Sequence, residues 1–190
     1  MADINVTAKM TGKFTDLAGR ASPAGSGTAA APPEPVWDII ELLFFAYRDF
    51  VGDADEVLAK FGFGRAHHRV LHFVNRNPGM KVAELLDILK ITKQSLGRVL
   101  KQLVDQGYVL QKEGANDRRQ RLLFVTPKGE ALAMKLAGLQ TARIARALAD
   151  LGPGAHDTAQ RFLTAMLDAA GRDRVLRLVA RADHARRPRA

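Results

Sequence analysis

The 190-residue chain has no cysteine, which excludes structural disulfides, thiolate zinc sites, cysteine nucleophiles and thiol-based peroxide sensing. It also lacks a long hydrophobic run. The longest, residues 42–46, is far short of the roughly 20 apolar residues that span a bilayer, and the N-terminus has no apolar stretch of the kind a secretory signal needs. No membrane partner is therefore expected, and a cytoplasmic location is. Catalytic patterns are missing too: there is no nucleophile–base pairing, no phosphate-binding glycine loop, and the acids show no motif spacing. The chain is not expected to be an enzyme, and nothing calls for a cofactor.

What is present is the composition of a globular protein, 47% hydrophobic and 26% charged, with a formal net charge of +9. The length suits one domain with a real core. The positive charge is localised. Residues 90–128 hold nine Lys or Arg against three acids, and residues 172–190 hold seven Arg against two Asp, which leaves the remainder slightly acidic. Such segregation is the electrostatic footprint of a polyanion binder, whereas evenly spread charge would mean only solubility.

The richest stretch is residues 81–126. Between residues 93 and 106, Leu96, Val99, Leu100, Leu103 and Val104 repeat at helical spacing, while Gln94, Gly97, Arg98, Lys101 and Gln102 fall on the opposite face. Thr92 suits the N-cap, Ile91 and Leu96 stand where a hydrophobic staple would lie, and Gly107 is a helix stop. A capping box is absent, since Ser95 occupies the third helical position. Before this helix, residues 81–89 place Val82, Leu85, Leu86 and Leu89 on one face. After it, residues 108–112 and 121–125 are strand-like around a turn at residues 114–117. Together these read as a winged helix-turn-helix.

The flanks are simpler. Residues 1–35 include an Ala, Gly, Ser and Pro-rich segment without hydrophobic period and are expected to be a flexible tail. From residue 36 an apolar helix carries Trp37, Ile40, Leu43, Phe44 and Tyr47, and continues through Val57, Leu58 and Phe61. An aromatic stripe of this kind is core or dimer interface, and plain core packing is expected for Trp37 and Phe44. A second helix, residues 65–75, turns His67, Val70, Leu71 and Val74 inward and ends at Asn77-Pro78-Gly79. Thr126-Pro127 opens a long helix to about residue 149, and a last helix with Phe162, Leu163, Met166 and Leu167 continues past Gly171. The basic C-terminus, from Arg172 on, is either an extension of that helix or a phosphate-binding arm.

Two stretches then carry a resemblance: residues 82–109, VAELLDILKITKQSLGRVLKQLVDQGYV, and residues 116–129, NDRRQRLLFVTPKG. Over about residues 36–170 the chain resembles the MarR family of bacterial transcription regulators. The resemblance implies a mainly α fold with a small β-hairpin wing: a winged helix-turn-helix at about 64–126, N- and C-terminal dimerisation helices at about 36–61 and 127–170, and a basic extension at 171–190. It implies a homodimer on a palindromic double-stranded operator, with half-sites about one helical turn, roughly 10 bp, apart. Carried onto this sequence, Thr92, Lys93, Gln94, Ser95, Arg98 and Lys101 would face DNA from the recognition helix. Arg118, Arg119 and Arg121 would serve the wing, where arginine favours a narrow minor groove, and Asp117 would brace a wing arginine.

The family also implies a small aromatic or anionic effector, with Tyr47, Arg48, His68 and His72 as candidate contacts, and a regulator that represses. Two alternatives remain open. One is metal-responsive regulation through His67, His68 and His72; His68 and His72 have i, i+4 spacing, but the set has no carboxylate or thiolate and is incomplete, so no metal site is assigned. The other is a non-specific architectural nucleic-acid-binding protein, disfavoured because Gln94, Ser95 and Arg98 offer base-reading chemistry.

Overall fold

The computed structural model describes residues 34–114, 117 and 119–184, with the side chains of residues 183 and 184 excepted. The chain divides after Val36. Of the first unit only residues 34–36 are described, and they carry no regular element; the expected tail, the wing residue Arg118 and the last arginines of the C-terminus lie outside the described residues. Every regular element among the described residues belongs to the second unit.

These elements run α1 (Trp37–Ala59), α2 (Arg65–Arg76), β1 (Met80–Lys81), α3 (Val82–Leu89), α4 (Lys93–Asp105), β2 (Val109–Glu113), β3 (Arg121–Val125), α5 (Pro127–Leu151), α6 (Ala155–Ala165) and α7 (Ala169–His184). The mainly α fold with a small β wing is thus confirmed, and one strand is added. β1 pairs antiparallel with β3, Met80 opposite Leu123 and Lys81 opposite Leu122, so the hairpin becomes a three-stranded sheet of order β1-β3-β2. Two residues are too short for an alternating pattern of their own; their extended conformation comes from the partner strand.

The core lies where α2, α3, α4 and the sheet meet the first half of α5. Leu58, Leu71, Leu85, Leu96, Leu103, Leu123 and Leu136 are its fully buried leucines, each worth roughly 1.5–3 kcal/mol relative to exposure. Periodicity and burial agree closely in α4, where Leu96, Val99, Leu100 and Leu103 are buried. In α2 they differ by one position: Val70, Leu71 and Val74 are buried, but His68 rather than His67 is the buried histidine. His67 sits half-exposed at the first turn, where its ring stacks on Phe63.

α1 overturns the expectation of core packing for Trp37 and Phe44. Only Val51, Ala54 and Leu58 are buried in this helix, while Trp37 is 64% and Phe44 69% exposed. The reason is geometric: α2 and α5 cover only the second half of α1, anchored by Arg143, whose guanidinium forks onto both carboxylate oxygens of Asp53 at 2.9–3.2 Å. Among the described residues, the aromatic face of the first half stays exposed.

The C-terminal helices also differ from the continuous helix expected. Residues 166–168 interrupt it, and α7 is a separate helix in which Arg174 pairs with Asp87 of α3 at 2.8 Å. That pair holds the Asp87 carboxyl below its ordinary range. Among the described residues, no helix is long and apolar enough to cross a membrane.

Candidate nucleic-acid interface

α4 is set by its two ends. At the N-terminus the Thr92 hydroxyl oxygen accepts from the Ser95 backbone N–H at 3.1 Å and donates to the Ser95 hydroxyl at 2.9 Å, so both side chains are committed to the cap. At the C-terminus Tyr108 N–H donates to Leu103 C=O at 2.8 Å and Gly107 N–H to Val104 C=O at 3.0 Å. Gly107 takes the left-handed φ of 72° that this Schellman arrangement requires.

The apolar stripe faces the core, which leaves Lys93, Gln94, Gly97, Arg98, Lys101 and Gln102 exposed on the other side. Within this face, Lys101 is engaged by Asp105 one turn on, at 2.6 Å. Arg98, Lys93 and Gln94 have no partner among the described residues. The half-charges of the unpaired N–H groups at the start of α4 add to the cationic side chains there.

The wing stands beside this helix. β2 and β3 pair in register from Val109 opposite Val125 to Glu113 opposite Arg121. At its tip Asp117 accepts from the Arg119 backbone N–H at 2.9 Å and from the Gln120 amide at 3.3 Å, an Asx turn that shapes the loop. Asp117 therefore braces the backbone of a wing arginine. Arg119 is exposed with no side-chain partner among the described residues, whereas Arg121 pairs across the ladder with Glu113 at 2.9 Å. Lys112, which the sequence motifs do not single out, sits over the Phe124 ring at 5.1 Å; its alternation in β2 is the signal that could have found it.

The Thr-Pro-Lys-Gly segment docks the next helix onto the end of α4. Thr126 N–H donates to Tyr108 C=O at 3.0 Å, the Thr126 hydroxyl donates to Gly107 C=O at 2.7 Å, and the same oxygen accepts from Gly129 N–H at 3.0 Å as N-cap of α5. Lys128 Nζ donates to Gln106 C=O at 3.0 Å and lies over the Tyr108 ring at 4.3 Å. The motif thus satisfies carbonyls that α4 leaves open at its end.

The four candidate effector contacts are not brought to one place. Tyr47 is exposed on α1; Arg48 pairs with its neighbour Asp49 at 2.8 Å and lies over Phe45. His68 is buried in α2, and burial lowers its pKa. Only His72 lines the cavity of about 820 Å³ between α7 and the α2–α3 pair, together with Phe73, Ile88, Lys90, Arg177 and Leu178. His67 is committed elsewhere, through Gly64 and Gln102. Among the described residues, no three His, Asp or Glu side chains stand close enough to hold a metal ion.

Comparison with known proteins agrees with this geometry. Residues 61–120 match the model of the MarR family. The chain is similar to the HTH-type transcriptional regulator PetP of Rhodobacter capsulatus, with 41% identity over 156 residues, 82% of this chain and 94% of that protein. It is also similar to an HTH-type transcriptional repressor of Mycobacterium tuberculosis, 28% identical over 64% of this chain and 84% of that one. The fold is shared with the crystal structure of Streptococcus pneumoniae FabT in complex with DNA, at a TM-score of 0.62, 16% identity, and coverage of 70% of this chain and 94% of that one. With this winged helix-turn-helix, and with 41% identity to a regulator across most of its length, the chain belongs to the MarR family of transcription regulators.

Proposed function

We propose that the chain acts as a homodimer that binds a palindromic double-stranded operator and represses transcription, with a small ligand modulating its affinity. The observation that carries DNA binding is the exposed polar face of α4, with Lys93, Gln94 and Arg98 unpaired among the described residues, flanked by the wing. Gln and Arg at the front of a helix supply bidentate chemistry for adenine and guanine in the major groove. Ser95, whose hydroxyl accepts from Thr92 and keeps its own proton, suits a phosphate contact beside the Thr92 cap, and Lys101 adds charge at the groove edge. Arg118 and Arg119 are assigned to the minor groove. Arg121, tied to Glu113, is assigned a supporting role unless DNA displaces the acid.

Dimerisation is supported by the uncovered apolar surface. Trp37, Leu42, Phe44, Phe45 and Tyr47 of α1, and Phe162, Leu163 and Met166 at the end of α6, are all exposed, far more than isolated surface hydrophobics account for. We assign α1 and α5–α7 as the dimerisation helices. For the effector, the cavity beside α7 has apolar walls, four cations, Lys90, Arg174, Arg177 and Arg181, and two acids, Glu84 and Asp87, the last paired with Arg174, a net positive lining suited to a small aromatic or other amphipathic anion. A cytoplasmic place of action goes with this reading.

The test is competition at physiological salt between a duplex selected by the protein from a random pool and unselected duplex. A specific regulator should prefer its site by about 10³-fold or more. Equal displacement by both duplexes would sink the reading in favour of architectural binding.

A further inference from the structure

The start of α2 and the exposed edge of α4 are joined by a side-chain hydrogen bond between residues 35 positions apart: His67 Nε2 lies 2.7 Å from Gln102 Oε1. The other ring nitrogen decides who donates. Gly64 backbone N–H donates to His67 Nδ1 at 3.1 Å, so Nδ1 carries the lone pair and Nε2 the proton. Nε2 therefore donates, and Gln102 Oε1 accepts. The imidazole has little room to turn. It stacks on Phe63 with centroids 4.7 Å apart and planes 13° from parallel, and buried Phe63 meets Tyr108 edge-on at 5.1 Å. Tyr108 is the residue that closes the end of α4.

The consequence falls on Gln102. Its carbonyl oxygen is turned onto His67, which fixes the opposite end of the amide, the NH2 group, as the donor on an exposed side chain of α4. Gln94, Arg98 and Gln102 follow one another at i, i+4 and i+8 along one row, and Gln102 lies roughly 12 Å along the axis from Gln94. When the first turns of the helix occupy the groove floor, that position meets the groove wall, where phosphate oxygens are the available acceptors. We propose that Gln102 donates to a DNA phosphate, and that His67, which need not touch DNA, is the positioning residue that presents it. This rests on the assignment of α4 as the DNA-reading helix.

The experiment measures affinity of the full-length chain for its selected duplex across a salt series, for wild type, Gln102→Ala, His67→Phe and the double variant. Phenylalanine keeps the stacking on Phe63 and removes the hydrogen bond. Gln102→Ala, on an exposed face, is expected to lower affinity about tenfold per half-site, the worth of one hydrogen bond to a charged group. A neutral donor releases no extra counterion, so the salt slope should stay put, while Lys93→Ala as a control should flatten it by about one per half-site. His67→Phe should reproduce the Gln102→Ala loss, and the double variant should lose no more than either single. Full affinity in Gln102→Ala overturns the proposal, and so does additive loss in the double. A fall in melting temperature without loss of affinity in His67→Phe assigns the bond to helix packing alone and also overturns it. If His67→Phe does not fold, His67→Leu, which also removes the hydrogen bond and keeps an apolar side chain beside Phe63, is read against the same criteria. Should wild type select no duplex, the DNA-reading assignment itself has failed and this proposal falls with it.

Discussion

Gly129 passes so close to the backbone of Tyr108 that a Cβ on it would run into the Tyr108 carbonyl oxygen and stand 2.9 Å from the carbonyl carbon. Glycine in Thr-Pro-Lys-Gly is therefore a packing requirement at the joint between α5 and the end of α4. Gly129→Ala should destabilise the fold by about 1–3 kcal/mol, as backbone overpacking does, and should lower operator affinity because the recognition helix loses its seat. Urea denaturation and operator titration measure the two effects. Wild-type stability in Gly129→Ala would mean that α5 can slide without cost.

Arg98, like Lys93, is an exposed cation of α4 with no partner among the described residues, in contrast to Lys101, which Asp105 engages. Arg98→Ala should cost about 1–3 kcal/mol in affinity for the selected duplex and relax specificity at one base position. Measuring the same variant on random duplex separates the roles: an equal loss on both makes Arg98 a phosphate contact.

Gly97 occupies the middle of the same face, and a Cβ there would meet nothing within 4 Å. The protein interior does not require this glycine. Gly97→Ala should raise stability by about 1 kcal/mol through helix propensity alone. We expect it also to weaken operator binding, because close approach of a DNA backbone is the remaining use for a missing side chain at this position. A stabler variant with unchanged affinity would remove that use.

Much of this interface is legible in the chain, for reasons that are local. The stripe of α4, the caps at Thr92 and Thr126 and the pairing segments of the wing depend on residues within a few positions of one another. Other features depend on distant partners. β1 is a strand only because Leu122 and Leu123 lie beside it, and His67 meets Gln102 across 35 positions. The break at residues 166–168 carries no proline or glycine, so apolar spacing runs through it unmarked. In α1, periodicity shows an apolar stripe but carries no information on whose surface covers Trp37 and Phe44.

His68 links stability to pH. Burial pulls its pKa below the ordinary 6.5, against a smaller opposing pull from the Asp55 carboxylate. Between those two values the unfolded chain binds a proton that the folded chain refuses. Stability is therefore lost as pH falls through about 6.5, until the folded-state value is reached. The melting temperature should drop as pH falls through about 6.5, and His68→Leu should flatten that drop. A pH profile with the same slope in the variant would place the dependence on other groups.

Phe44 tests what covers α1. It is 69% exposed within the chain, so replacing it by Asp should leave the fold of the protomer intact, as surface substitutions generally do. In a dimer the same change would bury a carboxylate in an apolar interface, at a cost of several kcal/mol. Phe44→Asp should therefore retain its helical circular dichroism and sediment near the chain mass of 20.7 kDa, while wild type sediments near twice that. Operator affinity should collapse with it, because two half-sites held together bind far more tightly than one. If Phe44→Asp sediments with wild type, the uncovered face of α1 lies outside the dimer contact.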